Sequence, residues 1–442
     1  MIMALGLQEK GAMMLFRTIS AVASLILPAL LSPEAAAQQP PADGLVLEKV
    51  VMMVRHGLRA PLEHEAPVGD MAREPWPQWP VEQSMMTERG LEGMRLLGAY
   101  DRQAYAQRGL FAADGCPESG AVRIRASTSP RAIASAGAMA QGFAPGCALE
   151  VQHGAPGTRD PIFDPRGAGL VRYDGAAAVA SINAHTGGIK ALAERHRDAF
   201  RTLETVLGCR DEDIADPCDI LAEESVLAVS PDDPTSFVFE GPIQTASGTA
   251  QVFLLQYAEG FPGSKVGWGR ANAAAIEHMG VLHSLLFDVH VRSPYMAARQ
   301  SAVLGRRVLA SLADPSGAKL DLVVGHDNNV NGLAAVLDVA FKVDGYAPMD
   351  ASVGGALVFE LLREPGSDRR YVQVFYQAQT LEQLRTLTPL SADNPPAYLP
   401  LPMPACEAEG VAARGGLCAL ERFSEIMISR LAPLDGPDAS TK

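Results

Sequence analysis

Two stretches of this chain are built almost wholly of apolar residues, and each stops abruptly at a polar cluster. Val50-Val51-Met52-Met53-Val54 runs into Arg55-His56-Gly57, and Leu320-Asp321-Leu322-Val323-Val324 runs into Gly325-His326-Asp327. A strand with one wet face alternates apolar and polar residues, whereas a continuous apolar run fits a strand covered on both faces. Parallel sheets with helices on either side provide that environment, and their ligand sites lie beyond the carboxyl ends of the strands. The expected fold class is therefore α/β, with a mostly parallel central sheet and flanking helices. Two separate strands deliver polar clusters to the same expected edge.

The remaining pattern fills in this plan. Asp327 to Leu337 reads as a helix, with Asp327, Asn328 and Asn329 as N-cap candidates and Val330, Leu333, Ala334 and Leu337 on one face. After Gly354-Gly355, Ala356 to Leu362 and Tyr371 to Tyr376 read as paired strands with Glu364 to Arg369 as the turn. Ser181 to Gly208 and Ser247 to Ala258 carry helical apolar stripes, which suggests a mainly α-helical insertion. The expected division is an α/β domain in two pieces, 45–150 and 276–434, with a helical cap inserted over 151–275. Residues 1–37 read as a signal peptide: Lys10 and Arg17 precede the apolar Ile19 to Leu31, and Ala35-Ala36-Ala37 offers a small-residue cleavage site.

A chain of 442 residues with 48% apolar content is long enough to form a sizeable core. Its formal net charge of −14 argues against nucleic-acid or anionic-membrane partners, which need clustered positive charge. A small anionic ligand stays open if arginines converge at one place. The six cysteines all follow the export signal and fit an oxidising compartment, periplasmic or secreted. Neighbour pairing (Cys116 with Cys147, Cys209 with Cys218, Cys406 with Cys418) is the preferred arrangement among the fifteen possible. Their spacing does not resemble a zinc site, and no metal or other cofactor is expected.

The cluster Arg55-His56-Gly57-Leu58-Arg59-Ala60-Pro61 sets two guanidinium groups around one imidazole. Arginine donors match phosphate oxygens in a planar fork. Neighbouring cations bias the imidazole toward its neutral form, which can attack phosphorus. The second cluster supplies a carboxyl group, Asp327, able to protonate a departing alkoxide, and a second imidazole, His326, able to bind phosphoryl oxygens. The bland alternatives are a satisfied loop histidine at 56 and a simple helix cap at 327. His283 and His290, seven residues apart, lack the companions of a metal set and read as core or surface histidines. Ser127 to Ser129 before Pro130-Arg131 can cap a helix and present that arginine. No GxSxG, Walker loop or HExxH occurs in the sequence.

With its distant His326-Asp327 partner, this seven-residue motif resembles the histidine acid phosphatases, in particular their bacterial periplasmic branch of phytases and glucose-1-phosphatases. The likeness extends through Trp76 to Pro80, Gly115-Cys116-Pro117, Asp160 to Phe163, Gly267 to Arg270, Gly354-Gly355 and Thr380 to Pro389. It implies a phosphoglycerate mutase-like fold and no metal. It also implies local cysteine pairs, hydrolysis of a small phosphate monoester through a phosphohistidine, and a chain acting as a monomer. By the same resemblance His56 is the nucleophile and Asp327 the proton donor. Arg55, Arg59, Arg131 and His326 bind the phosphoryl group, and Arg292 falls where phytases carry a substrate-binding arginine.

Departures bear on substrate. The resemblance leads one to expect Thr-Lys after the first motif of a phytase, but here Leu62-Glu63 follows, and Glu63 beside the substrate would repel a polyphosphate. Tyr257 to Pro262 leans toward the glucose-1-phosphatase type, and His326-Asp327-Asn328-Asn329 matches neither usual form. An inositol-phosphate or broad-specificity phosphatase is favoured narrowly over a sugar phosphatase. A phosphate-transferring mutase and a silent phospholigand-binding protein stand further off, since binding alone needs no proton donor.

Overall fold

Both apolar runs are strands, and they lie side by side. The computed structural model describes residues 44–66, 72–210, 218–407 and 416–435; the expected signal peptide lies outside them. In chain order the strands are β1 (Val46–Arg55), β2 (Val122–Ala126), β3 (Val151–Gln152), β4 (Val226–Val229), β5 (Phe237–Glu240), β6 (Leu320–Gly325), β7 (Ala356–Arg363), β8 (Arg370–Ala378), β9 (Ala397–Pro400) and β10 (Cys418–Ala419). The helices are α1 (Glu88–Gln107), α2 (Pro130–Phe143), α3 (Gly175–Thr186), α4 (Ile189–Arg195), α5 (Arg197–Leu207), α6 (Pro242–Ala258) and α7 (Ala273–Phe287). They continue with α8 (Pro294–Gln300), α9 (Ala302–Ala313), α10 (Asp327–Leu337), α11 (Leu381–Thr386), α12 (Pro404–Glu407) and α13 (Leu420–Arg430).

The main sheet runs in the order β10-β8-β7-β1-β6-β2-β3, with β9 paired to the C-terminal end of β8 on the same edge as β10. Strands β1, β6, β2 and β3 are parallel to one another, and β7 to β10 form an antiparallel flank. The expected hairpin is β7–β8, closed by Glu364 N–H donating to the Arg369 carbonyl. β1 pairs with β6 so that Val54 faces Val324 and Arg55 faces Gly325. The two strands therefore end at the same level, and His56 N–H donates to the Gly325 carbonyl at 2.9 Å. This register is what brings two sequence-distant clusters together.

Val50 to Val54 are fully buried, as a strand covered on both faces requires. Val50, Met52 and Val54 pack with Leu322 and Val324 against Met94 and Leu97 of α1 and Ala136 and Met139 of α2. At the crossing of α1 and α2, a Cβ on Gly98 would lie 2.1 Å from the Met139 carbonyl oxygen, so the helices approach closely only because this position is glycine. On the other face, Val51, Met53 and Val323 share one buried cluster with Leu333 and Leu337 of α10, Leu282 of α7, Phe200 and Leu203 of α5 and Phe253 of α6. Helices α3 to α6, with the small antiparallel pair β4–β5, thus cover the sheet from one side and reach toward its carboxyl edge. The described residues carry three disulfides, Cys116–Cys147, Cys209–Cys218 and Cys406–Cys418.

The one acidic residue in the second apolar run is accounted for by its partners. Asp321 is fully buried, accepts from Arg307 Nη2 at 3.0 Å and pairs with Arg123. Burial works to raise its pKa, but the two guanidinium groups outweigh burial and hold it low. A lowered carboxylate contributes stability above the ordinary aspartate range and loses it as pH falls through its folded value. Asp321→Ala removes the carboxylate that faces buried Arg307 and part-exposed Arg123 and is expected to cost about 3 kcal/mol, measured as a lower urea midpoint at neutral pH.

Candidate active site

Because β1 and β6 end together, the residues that follow them lie against one another. His56 is 3% exposed, and its ring lies edge-on to that of His326 with centroids 5.6 Å apart. The His56 Nδ1 sits 2.9 Å from the Gly57 carbonyl oxygen. A carbonyl only accepts, so Nδ1 carries the hydrogen and Nε2 keeps its lone pair. Gly57 fits tightly: its N–H donates to Ser135 Oγ, and a Cβ there would meet Met86 and Met94 side-chain atoms at 2.8 Å. Burial first, then the charges of Arg131, Arg59, Arg55 and His326, push the His56 pKa well below the ordinary histidine value. His56 is therefore held neutral with Nε2 free, the state a nucleophile needs.

Three arginines surround it. Arg55, at the last residue of β1, is 1% exposed; one of its terminal nitrogens donates to the Ala351 carbonyl and the other meets Asp327 Oδ2 at 3.0 Å. Arg59 is buried and makes a two-pronged pair with Glu65, 2.7 Å at each prong. Glu65 is itself buried and also accepts from the Leu62 N–H at 2.8 Å, which fixes the fork that aims Arg59. Arg131 stands on the first turn of α2, whose N-cap is Ser129, with Ser129 Oγ accepting from Ala132 N–H. Its pKa is lowered by burial and then by Arg59 and Arg55, although Asp327 and Glu65 pull the other way. Converging cations in a chain of net charge −14 form a pocket for an anion.

The second cluster completes the site. His326 is the N-cap residue of α10, its N–H donating to Asn329 Oδ1 at 3.0 Å, and its Nε2 lies 3.1 Å from Ser127 Oγ. Asp327 is the first residue inside the helix rather than the cap expected from its sequence position, because the Asn329 side chain already closes the turn at His326. Burial, with Arg131 next, pushes the His326 pKa down to about 4. At Asp327 burial works upward, but the guanidinium of Arg55 outweighs it and holds the carboxyl below its usual range.

Of the residues singled out in the sequence, Arg55, His56, Arg59, Arg131, His326 and Asp327 are brought together. Arg292 is not. Its buried guanidinium donates to Asn331 Oδ1, to the carbonyl and hydroxyl oxygens of Ser284 and to the Met349 carbonyl, and it pairs with Asp288 at 3.2 Å. Those bonds occupy its donors in bracing α7 against α10. Glu63 is exposed, and the acidic side chain turned inward at this loop is Glu65, two residues on. His290 packs against the rings of Phe237 and Phe239.

Sequence reasoning gave no site role to four residues that lie against these: Glu65, Ser127, His283 and Asp350. His283 is buried on α7, with Nδ1 2.8 Å from Asp350 Oδ1 and Nε2 4.0 Å from Asp327 Oδ2. Its tie to the site depends on how α7 packs on α10, for which one sequence holds no signal. Among the described residues no group of three or more His, Cys, Asp or Glu is placed to hold a metal ion.

Comparison with known proteins agrees with this geometry. Residues 46–187 match the histidine phosphatase superfamily (branch 2). Phytase AppA of Escherichia coli (strain K12) is 33% identical over 425 residues, spanning 91% of this chain and 96% of the relative. The glucose-1-phosphatase of Salmonella typhimurium is 29% identical over 416 residues, spanning 90% and 95%. Among solved structures, Hafnia alvei phytase in complex with tartrate superimposes with a TM-score of 0.81 at 30% identity, covering 88% of this chain and 98% of that one.

Proposed function

Because the chain belongs to branch 2 of the histidine phosphatase superfamily, we propose that it hydrolyses phosphate monoesters by passing the phosphoryl group through His56, with Asp327 handling the proton. The observation that carries this reading is the shared ending of β1 and β6. It sets a neutral His56, with Nδ1 tied to Gly57, level with His326 and Asp327 and among Arg55, Arg59 and Arg131.

In the first step His56 Nε2 attacks phosphorus, the phosphorus–oxygen bond to the leaving group breaks, and its electron pair stays on the leaving oxygen. Asp327 gives that oxygen a proton. The arginines and His326 stabilise the charge spread over the other phosphoryl oxygens. In the second step water attacks phosphorus, Asp327 carboxylate takes the water proton, and the phosphorus–nitrogen bond breaks to restore neutral His56. A bound phosphate dianion beside the arginines weakens their pull on Asp327 and raises its hold on a proton.

Substrates of the inositol-phosphate class, or a broad range of monoesters, fit best. Phytases stand among both the sequence relatives and the structural neighbours. The sugar-phosphatase reading draws on the glucose-1-phosphatase relatives. The three disulfides support a periplasmic or secreted location. Among the described residues no helix is long and apolar enough to cross a membrane.

Purified protein is expected to release phosphate from p-nitrophenyl phosphate at about pH 4 to 6, with EDTA present. The sign follows from opposite demands. The lowered pKa of His56 keeps its lone pair free as pH falls, whereas Asp327 needs a proton and loses it as pH rises. A ranking of kcat/KM across phytate, glucose 1-phosphate and aryl phosphates separates the two substrate readings. Preference for phytate supports the first, and glucose 1-phosphate far ahead of both overturns it.

A further inference from the structure

Given that reading of Asp327 as the donor, one question is how a carboxyl facing Arg55 at 3.0 Å comes to hold a proton when it is needed. We propose that His283, braced by Asp350, is a positioning residue that stores the proton Asp327 delivers to the leaving group.

The geometry is that of an imidazole with a carboxylate on each nitrogen. Asp350 Oδ1 lies 2.8 Å from Nδ1, and Asp327 Oδ2 lies 4.0 Å from Nε2. Asp350 is 1% exposed and His283 6% exposed, so neither is set by bulk water. Asp350 Oδ1 accepts from Nδ1, and a hydrogen on Nε2 would point toward Asp327. Other charged groups face the pair from every packed element. Glu65 on the turn at 63–65 feels the charge of His283, Arg55 at the end of β1 feels both Asp327 and Asp350, and Arg292 beyond α7 feels Asp350. His56 and His326 act on Asp327 from the other side. The ring of Phe287 stacks edge-on against His283 at 5.0 Å and shields that flank.

At 4.0 Å the Nε2 to Oδ2 approach is a contact and not yet a hydrogen bond. In the free enzyme Oδ2 is engaged by Arg55. A phosphoryl group bound beside Arg55 competes for that guanidinium's charge and leaves His283 as the nearest cation to Asp327. The His283 Nε2–H bond then breaks as the Asp327 Oδ2–H bond forms. That O–H bond breaks in turn as the leaving oxygen gains its hydrogen. When water hydrolyses the phosphohistidine, its proton passes to Asp327 and back to His283, so the cycle closes with no net proton gained or lost by the enzyme.

The test compares His283→Gln and Asp350→Asn with the wild-type protein on two monoesters, an alkyl phosphate and p-nitrophenyl phosphate. Proton delivery matters most for the poor alkoxide leaving group. For His283→Gln we expect kcat to fall about 50-fold on the alkyl ester and about fivefold on the aryl ester, with KM little changed. The falling limb of the alkyl pH profile is expected to move to lower pH, because the only donor left is a carboxyl that Arg55 keeps ionised. Asp350→Asn is expected to shift both readouts the same way by a smaller amount, and it carries the comparison if His283→Gln does not fold. Equal losses on both esters, or an unmoved limb, overturn the proposal. His56→Ala run alongside separates the two levels. Turnover surviving in that variant refutes the phosphohistidine reading itself, while a failure confined to the His283 comparison refutes only the proton store.

Discussion

His56→Ala is expected to lower turnover of every monoester by at least about 10⁴-fold while leaving the fold intact. The expectation rests on the absence of a substitute at that spot. His326 is the nearest imidazole, but its Nε2 is engaged by Ser127 and its ring centre is 5.6 Å away. Asp327 is occupied by Arg55 and is a poor nucleophile when protonated. The phosphate pocket itself survives the substitution, since Arg59 is held by Glu65 and Arg55 by Ala351 and Asp327. Binding of inorganic phosphate should therefore persist while turnover disappears. A circular dichroism spectrum and thermal midpoint close to those of the wild-type protein check that the loss is chemical.

Asp327→Asn is expected to cost about 10³-fold in kcat on an alkyl phosphate and only about tenfold on p-nitrophenyl phosphate. The difference follows from the leaving group. An alkoxide needs a proton as it departs, and a nitrophenolate barely does. Asparagine keeps the size and the contact with Arg55, so the arginine is not left to collapse, but it has no acidic proton to give and cannot take one from water. The second step therefore slows for both substrates, which sets the residual loss on the aryl ester. Equal losses on the two substrates would assign Asp327 to charge balance alone. The measurement is a steady-state comparison of the two esters at their pH optima.

The sequence carried the frame of the molecule well, for reasons that lie in the backbone. A run such as Val50 to Val54 has few structural uses, and its abrupt end at Arg55-His56 marks where a strand meets a loop. The same reasoning located Leu320 to Gly325, the helix from Asp327 to Leu337 and the β7–β8 hairpin. Residues next to strand ends inherited that accuracy, which is why Arg55, His56, His326 and Asp327 were legible. A Ser-Pro helix start fixes where the Arg131 side chain leaves the backbone, and its phosphate-binding role came from the family resemblance.

What escaped were pairings between side chains. Glu63 and Glu65 differ by two positions in a loop with no strong period, and only the three-residue turn decides that Glu65 goes in to meet Arg59. Arg292 carries the residue type of a phosphate ligand, yet the way α7 passes into α8 points it at Asn331 and Ser284. His283 looked like an ordinary core histidine, and its burial agrees; its contact with Asp327 arises from helix packing across 44 positions of chain, Asp327 being that far from His283. Each of these depends on tertiary contacts that local spacing does not encode.

The central claim is that His56 becomes covalently phosphorylated. Mixing the enzyme with radiolabelled p-nitrophenyl phosphate, quenching in alkali within milliseconds and sequencing the labelled peptide tests it directly, because a phosphohistidine survives base and is lost in acid. Acid-labile, alkali-stable label is expected on the peptide that carries His56, formed in the Asp327→Asn protein to a higher level than in the wild type because its hydrolysis is slowed. Turnover without any such label, or label on another residue, would contradict it.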